Sequence, residues 1–339
     1  ARRLCWTSRR GVPAGGMTPA FRTAAVLGGG AVGQVLVAAL KSARIRVVLA
    51  WNRTEQPGWD TELERIRDAE IVFLAVSDPA VEPLCERIAV LVRPGQLVVH
   101  CAGALPLDVL SSAREAGART GSLHPLRAIP RGSSASILRD AAAGVAASDP
   151  TAREALDALA RSLGLSPIPV SDDARSLYHA AAVLAAAGEV ALFSRAVKAF
   201  QDATGAPEPL ARSALLPLSQ GALAVLEQRD PTDALTGPVA RGDAATVGAH
   251  RRVLDERTLR LYDELTRAML ELRPSAEIEE LLRTPPAATS SAADRGSRSS
   301  LPRPPPRPAA RPSASSQSPK RRGPRSAPPR HGRAPRRKR

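Results

Sequence analysis

Six residues near the start of the chain, Gly28-Gly29-Gly30-Ala31-Val32-Gly33, constrain its fold more than any other stretch. They follow an apolar run, Thr23 to Leu27, that reads as a strand. They open a stretch with helical spacing, Ala31 to Ser42. A G-x-G-x-x-G in that context has a mechanical meaning. Gly28 permits a tight turn, Gly30 lets the backbone come close to a pyrophosphate, and Gly33 lets the helix pack closely on the strand. The first helical turn, with Ala31 and Val32, then offers free N–H groups and the positive end of the helix dipole to phosphates. The reading is a dinucleotide site, set against a glycine-rich turn that holds no ligand.

The end of the second strand selects the cofactor. An acid there would bond the ribose hydroxyls and repel a 2′-phosphate. This chain has Asn52-Arg53-Thr54, beginning 19 residues after Gly33. Asn52 is neutral, Arg53 can fork onto a phosphate and Thr54 can donate. NADP(H) is therefore expected over NAD(H), although Glu55 lies close by. Two further strand ends should line the crevice, since a parallel sheet binds ligands over the carboxyl ends of its strands. They carry Val76-Ser77-Asp78-Pro79 and His100-Cys101-Ala102-Gly103, so Val76, Ser77, Cys101 and Gly103 join the cofactor list.

Ser122-Leu123-His124-Pro125 ends the next strand and brings His124 to the same edge. Arg175 and His179 lie four residues apart on a predicted helix, so they share a face. Reduction of a carbonyl or imine needs a proton donor and an anchor for the substrate. Histidine, with an ordinary pKa of about 6.5, can give a proton near neutrality. Arginine can hold a carboxylate. The candidate catalytic residues are His179, His124, Arg175 and Arg241, the last in the loop Thr236 to Asp243. Arg175 and His179 have a second reading, as groups that only pair with the sheet. Arg241 has one as a partner of Asp243, which is expected to cap the helix starting at Ala244.

Strands at Thr23–Leu27, Ile45–Ala50, Ile71–Val76, Leu97–His100 and Ala118–Ser122 alternate with helices, and their apolar runs predict a parallel sheet covered on both faces. Further strands are expected near Ala143–Ala147 and Ser166–Val170. From Asp172 onward the pattern is helical: Ser176 to Phe200, Leu210 to Gln228, Ala244 to Glu256, Arg257 to Leu272. The fold class is α/β, a parallel-sheet domain (17–170) followed by an all-helical domain (171–283), with a short N-terminal extension (1–16) expected to be disordered before Met17. No Ser-His-Asp order, HExxH or Walker lysine supports hydrolysis, metal catalysis or phosphoryl transfer.

The formal charge of +15 comes from the ends. Residues 284–339 carry 15 basic residues and one acid, residues 1–16 carry four arginines, and residues 17–283 are left at −3. A basic fold that grips nucleic acid is thereby disfavoured. The last 56 residues hold 13 of the 31 prolines and bury too little apolar surface to offset their ordering entropy, so a disordered basic C-terminal tail is expected. At most it tethers nucleic acid weakly; read-through of a stop gives the same composition. Three cysteines at irregular spacing imply no disulfide framework. The longest apolar run, around Ala180 to Leu192, is broken by Glu189, so no membrane span and a cytoplasmic body are expected.

Taken together, LGGGAVG, IVFLAVSD, VVHCAGAL, GSLHPL, YHAAAV and ALTGPVARGD resemble, in that order, the Rossmann-like proteins that carry the domain of unknown function 2520. The resemblance spans roughly residues 22–275. It implies kinship with the 6-phosphogluconate dehydrogenase and pyrroline-5-carboxylate reductase superfamily: a Rossmann-type domain, a helical domain through which members are often homodimeric, and an NADP-linked oxidoreductase. The family's own reaction is not settled; from the residues, hydride transfer to a small carbonyl or imine on a carboxylate-bearing molecule is expected, with Arg175 or Arg241 as its anchor. Two departures stand out. The family's lysine before the YH pair is Arg175 here, and its asparagine on the same helix is Ala187 or a small neighbour. An arginine stays protonated and donates protons poorly. Either His179 or His124 takes that role, or the chain binds NADP(H) without turnover.

Overall fold

The computed structural model describes residues 20–52 and 62–284. Arg53, Thr54, residues 1–16 and residues 285–339 of the basic tail lie outside the described residues. Seven strands form one sheet in the order β2-β1-β3-β4-β5-β6-β7. They are β1 (Thr23–Leu27), β2 (Arg46–Trp51), β3 (Ile71–Leu74), β4 (Leu97–His100), β5 (Arg119–Pro125), β6 (Ala142–Ala147) and β7 (Ser166–Pro169). The first five are mutually parallel. β3 and β4 are buried along their whole length because helices cover both faces of the sheet. Alternate residues feed two cores. Ala24, Val26, Ile71, Phe73 and Val99 face α1 (Ala31–Ser42) and α4 (Pro150–Ser162). Ala25, Leu27, Val72, Leu74 and Val98 face α2 (Asp78–Ile88) and the short α3 (Ser111–Glu115).

The sheet departs from all-parallel at one place. β6 pairs antiparallel to β5, and β7 then pairs parallel to β6. A parallel strand needs a crossover of a dozen or more residues, usually a helix. The link from β5 to β6 contains Pro130, Gly132 and one 3₁₀ turn, Ala135–Leu138, so the chain turns back instead. The antiparallel pairing also lengthens β5 past the expected Ser122 to Pro125. His124 is thereby a strand residue, opposite Gly144 of β6.

After β7 the described chain is helical. α5 (Arg175–Val183) passes through a π-helical turn, Leu184–Gly188, into α6 (Glu189–Thr204), and α7 (Glu208–Val225) packs back against it. Pro231–Ala234 makes one turn (α8). α9 (Ala244–Val253), α10 (Glu256–Leu272) and a further helix, α11 (Ala276–Arg283), share a small core of Val239, Val247, Leu270, Ile278 and Leu282. Asp243 caps α9 as expected, accepting from Thr246 N at 3.0 Å. The segment Asp172–Thr204 is long and apolar enough to cross a membrane by length and composition, where the sequence saw only a broken run. Glu189 interrupts the run but not the helix. Its first turns are bonded to the sheet through Arg175 and Tyr178.

Arg251 locks the last helix in place. Its Nε and Nη2 fork onto the two oxygens of Asp263 at 2.9 and 3.0 Å, and its Nη1 donates to the carbonyls of Leu281 and Thr284. Arg251 is buried, and Asp263 keeps 13% of its side chain exposed. Removing Arg251 leaves a carboxylate that water reaches only in part, a cost of about 1–3 kcal/mol. Arg251→Met is expected to lower the urea midpoint by a corresponding amount with no change in slope. An unchanged midpoint would show the pair to be dispensable.

Candidate functional site

The order β2-β1-β3 places a reversal of strand order beside β1, and a cleft of about 410 Å³ opens there. Gly28, Gly29 and Gly30 form its floor, Trp51 and Asn52 one wall, and Ala75, Val76 and Ser77 the other. The three glycines of the motif do different things. Gly28 has φ +131°, and a Cβ there would overlap the Ala75 carbonyl. A Cβ on Gly33 would overlap the Gly28 carbonyl oxygen, so Gly33 is the packing glycine and does not line the cleft. Gly30 is different. Its φ of −71° suits any residue, and a Cβ there would meet no atom within 4 Å. Among the described residues no atom crowds position 30, so the bare Cα leaves room for a guest in the cleft. Gly30 is also the N-cap of α1, with no side chain capping the N–H groups of Ala31, Val32 and Gly33. A bare glycine before an uncapped helix suits the diphosphate of a dinucleotide.

Asn52 lies over Gly29, with its side-chain nitrogen 2.5 Å from where a Gly29 Cβ would be. Arg53 and Thr54 lie outside the described residues. Arg87, which the sequence reading missed, also lines the cleft. The signal was present: Ala80, Pro83, Leu84 and Arg87 fall on one face of α2 at helical spacing, one turn beyond Ser77. Cys101 is a lesser member than expected. Its thiol sits in the sheet–helix core and burial pushes its pKa up to about 12, so only its backbone remains for the crevice.

A second group of residues lies along the same sheet edge. Leu27, Leu74, His100 and Ser122 are in register across β1, β3, β4 and β5. His124 is thus about 14 Å from the glycine turn, three strand spacings across the sheet. His124 and His179 approach edge to face, ring centroids 5.7 Å apart. Gly103 sits against both. A Cβ on it would be 3.0 Å from His124 Nε2 and would overlap His179 Nδ1. His179 Nδ1 is buried and has no hydrogen-bond partner. Both imidazoles therefore pack against the bare Cα of Gly103, and a larger residue there would displace them. On its other side, His124 Nδ1 lies 2.9 Å from the Tyr178 hydroxyl.

Arg175 takes the second of its two readings. It is 1% exposed; Nε donates to Asp172 at 2.8 Å and Nη2 donates to Ser122 Oγ. Asp172 in turn accepts from Leu107 N at 3.1 Å. The guanidinium thus fastens α5 to the ends of β5 and the loop after β4. Arg241 lies on an exposed 3₁₀ turn, Val239–Arg241, whose Val239 packs with α9 to α11. No hydrogen bond or ion pair among the described residues joins it to the histidines. His100, fully buried behind them, has both ring nitrogens unpartnered.

Burial sets the electrostatics. It lowers the pKa of His124 to about 4, helped by His179 and opposed by Asp78. It lowers His100 to about 4 too, with Arg175 adding to the effect. Both are neutral at pH 7. At pH 7 the His124 ring is therefore uncharged and carries a single N–H.

A Rossmann-like domain profile matches residues 11–125, and the domain of unknown function 2520 matches residues 141–269. No curated protein matches the chain. Among solved structures, a Bacteroides fragilis protein provisionally named an NADP oxidoreductase is 23% identical with a TM-score of 0.61, over 74% of this chain and 99% of that one. A Thermotoga maritima protein is 21% identical with a TM-score of 0.57, over 76% and 99%. Pyrroline carboxylate reductase from Plasmodium falciparum, with NADP bound, is 13% identical with a TM-score of 0.51, over 77% and 97%. At these identities the likeness is one of fold.

The two neutral histidines make stability depend on acid. Unfolded histidine titrates near 6.5, whereas folded His100 and His124 do so at about 4. Between those values the unfolded chain holds more protons, so stability is full above pH 6.5 and falls as pH drops toward 4. His100→Phe is expected to flatten that decline relative to the unmodified protein in urea melts at pH 7, 6, 5 and 4. Parallel declines in the two proteins would show that His100 is not held neutral.

Proposed function

Because this chain belongs to the Rossmann-like proteins that carry the domain of unknown function 2520, we propose that it is an NADP(H)-dependent oxidoreductase acting on a small carbonyl or imine. The observation that carries the reading is the bare, uncapped turn at Gly30, on the same sheet edge as the paired imidazoles of His124 and His179. Gly28 to Gly30 and the first amides of α1 would hold the diphosphate. Asn52 would bond the adenosine ribose, and its lack of charge favours the 2′-phosphate of NADP(H) over NAD(H). The bound nicotinamide would supply or take a hydride. His124 Nε2–H would hydrogen-bond the carbonyl oxygen or imine nitrogen and polarise it, in the manner of a neutral imidazole electrophile. His179 Nδ1 would complete the grip. With Arg175 committed to Asp172 and Ser122, the reading centres on the C=O or C=N group and requires no carboxylate on the substrate.

The helical region supports a homodimer. Leu177, Leu184, Val190 and Leu218 are each more than 70% exposed on α5 to α7. A stripe of that size is covered by a partner in a stable soluble assembly, and a second copy is the simplest closed one. Leu184→Glu with Val190→Glu is expected to convert a dimer to a monomer in analytical ultracentrifugation; a monomeric unmodified protein would rule the dimer out.

Gly30→Val tests the cofactor assignment without disturbing the fold, because the new side chain meets only the cleft. It is expected to lose only about 1 kcal/mol of stability, the cost of a poorer N-cap, yet lose NADPH affinity by about a hundredfold or more, the effect of losing roughly 3 kcal/mol of charge-assisted hydrogen bonds. Titration of NADPH fluorescence reads this directly, and undiminished binding would end the proposal. Tight binding with no turnover on any of a panel of cyclic imines, ketones and 2-oxo acids would instead favour a protein that holds NADP(H) without reaction.

A further inference from the structure

β5 and β6 run antiparallel with His124 opposite Gly144, a pairing that leaves a bare Cα beside the imidazole. Tyr178 fills that gap. A Cβ on residue 144 would be 2.6 Å from the Tyr178 hydroxyl oxygen, so only glycine lets the phenol lie there. The two rings meet edge to face, centroids 5.6 Å apart and planes at 85°, with the hydroxyl 2.9 Å from His124 Nδ1. The other ring nitrogen, Nε2, faces the space above Gly103. Tyr178 therefore touches the back of the imidazole whose front faces the proposed substrate.

We propose that Tyr178 is a positioning residue that holds His124 with its proton on Nε2 and replenishes that proton through Nδ1. This rests on the reading of His124 as the group that bonds the substrate. A neutral imidazole has one N–H, and if Nδ1 accepts from the phenol, that N–H is on Nε2. When the substrate carbon is reduced by the nicotinamide, its oxygen or nitrogen gains the Nε2 proton. The Tyr178 O–H bond breaks as Nδ1–H forms. The histidine stays neutral throughout, now as the other tautomer; it resets when Nε2 takes a proton from water and Nδ1 returns its proton to the Tyr178 phenolate. The low pKa of His124, about 4, explains why a relay is required: no second proton is held on the ring at pH 7. Burial raises the phenol pKa, so Tyr178 begins the cycle protonated.

The histidine tautomer can be read without cofactor or substrate. Long-range ¹H–¹⁵N correlation spectra of the ¹⁵N-histidine protein at pH 7 are expected to show His124 protonated at Nε2. Tyr178→Phe keeps the ring and is expected to bring in the Nδ1–H form or a mixture. In turnover assays the same variant is expected to lose kcat by about a hundredfold or more, the lower range for general acid–base catalysis, with KM for NADPH unchanged. His124 protonated at Nδ1 in the unmodified protein, or a tautomer indifferent to Tyr178→Phe, would overturn the proposal. The unmodified spectrum decides it even if the variant folds poorly. A correct, Tyr178-dependent tautomer in a protein that reduces nothing supports the positioning role and tells against the reductase reading instead.

Discussion

The arrangement of the site depends on a cation that has no access to water. Arg175 is the largest fully buried side chain among the described residues. Its charge survives there only because Asp172 and Ser122 meet it. A buried ion stripped of such partners would cost several kcal/mol, so the three groups move as one unit. Ser122 belongs to β5 and Asp172 is bonded to the loop after β4, so the helix is nailed to two neighbouring strand ends. Tyr178 and His179 follow within about one turn at 3.6 residues per turn, and helical geometry then lays them over β5 and β6. Arg175 is thus the fastener that aims the tyrosine and the histidine.

The parts of the fold legible in the sequence are those set by local pattern. The glycine turn, the five parallel strands and the long helices each have a period or a punctuation mark that needs no tertiary context. The antiparallel return at β6 had no such mark. It follows from a missing crossover helix, and Ala142 to Ala147 reads the same in either direction. The site divides along the same line. Gly28 and Gly33 were legible because what they do is set by the backbone around them. The choice between two roles for Arg175 was not, because burial of an arginine depends on Asp172 and Ser122 arriving together from different segments. Arg87 is a middle case, exposed by helical spacing once α2 is known to flank the cleft.

The chemistry that histidine offers here is set more by solvent than by residue type. Near-neutral proton exchange is a property of hydrated imidazole. Packed against a second imidazole, a glycine backbone and a buried guanidinium, His124 loses its charge long before pH 7. The same desolvation that removes the cation strengthens the hydrogen bond the neutral ring can make. A site built this way exchanges acid strength for polarising power, and must draw its proton from behind. His250 and Tyr262 form a pair of nearly the same geometry, rings 5.8 Å apart and Nδ1 to hydroxyl 2.9 Å, but on an exposed face. Contact with a tyrosine is therefore common to both; burial and an imidazole neighbour distinguish the pair at the sheet edge.

Glycine recurs wherever the site is crowded, and each instance reports a different neighbour. At 28 and 33 it is the backbone of the chain itself. At 103 it is the two histidines, and at 144 the phenol of Tyr178. At 30 there is no neighbour at all. The first four are explained by packing within the protein, and substitution at any of them would act on the fold. The fifth has no crowding neighbour among the described residues. An unexplained bare position at the mouth of a cleft, beneath an uncapped helix, separates a ligand site from a merely tight turn, and on that ground the cleft is best understood as built around something the chain alone does not contain.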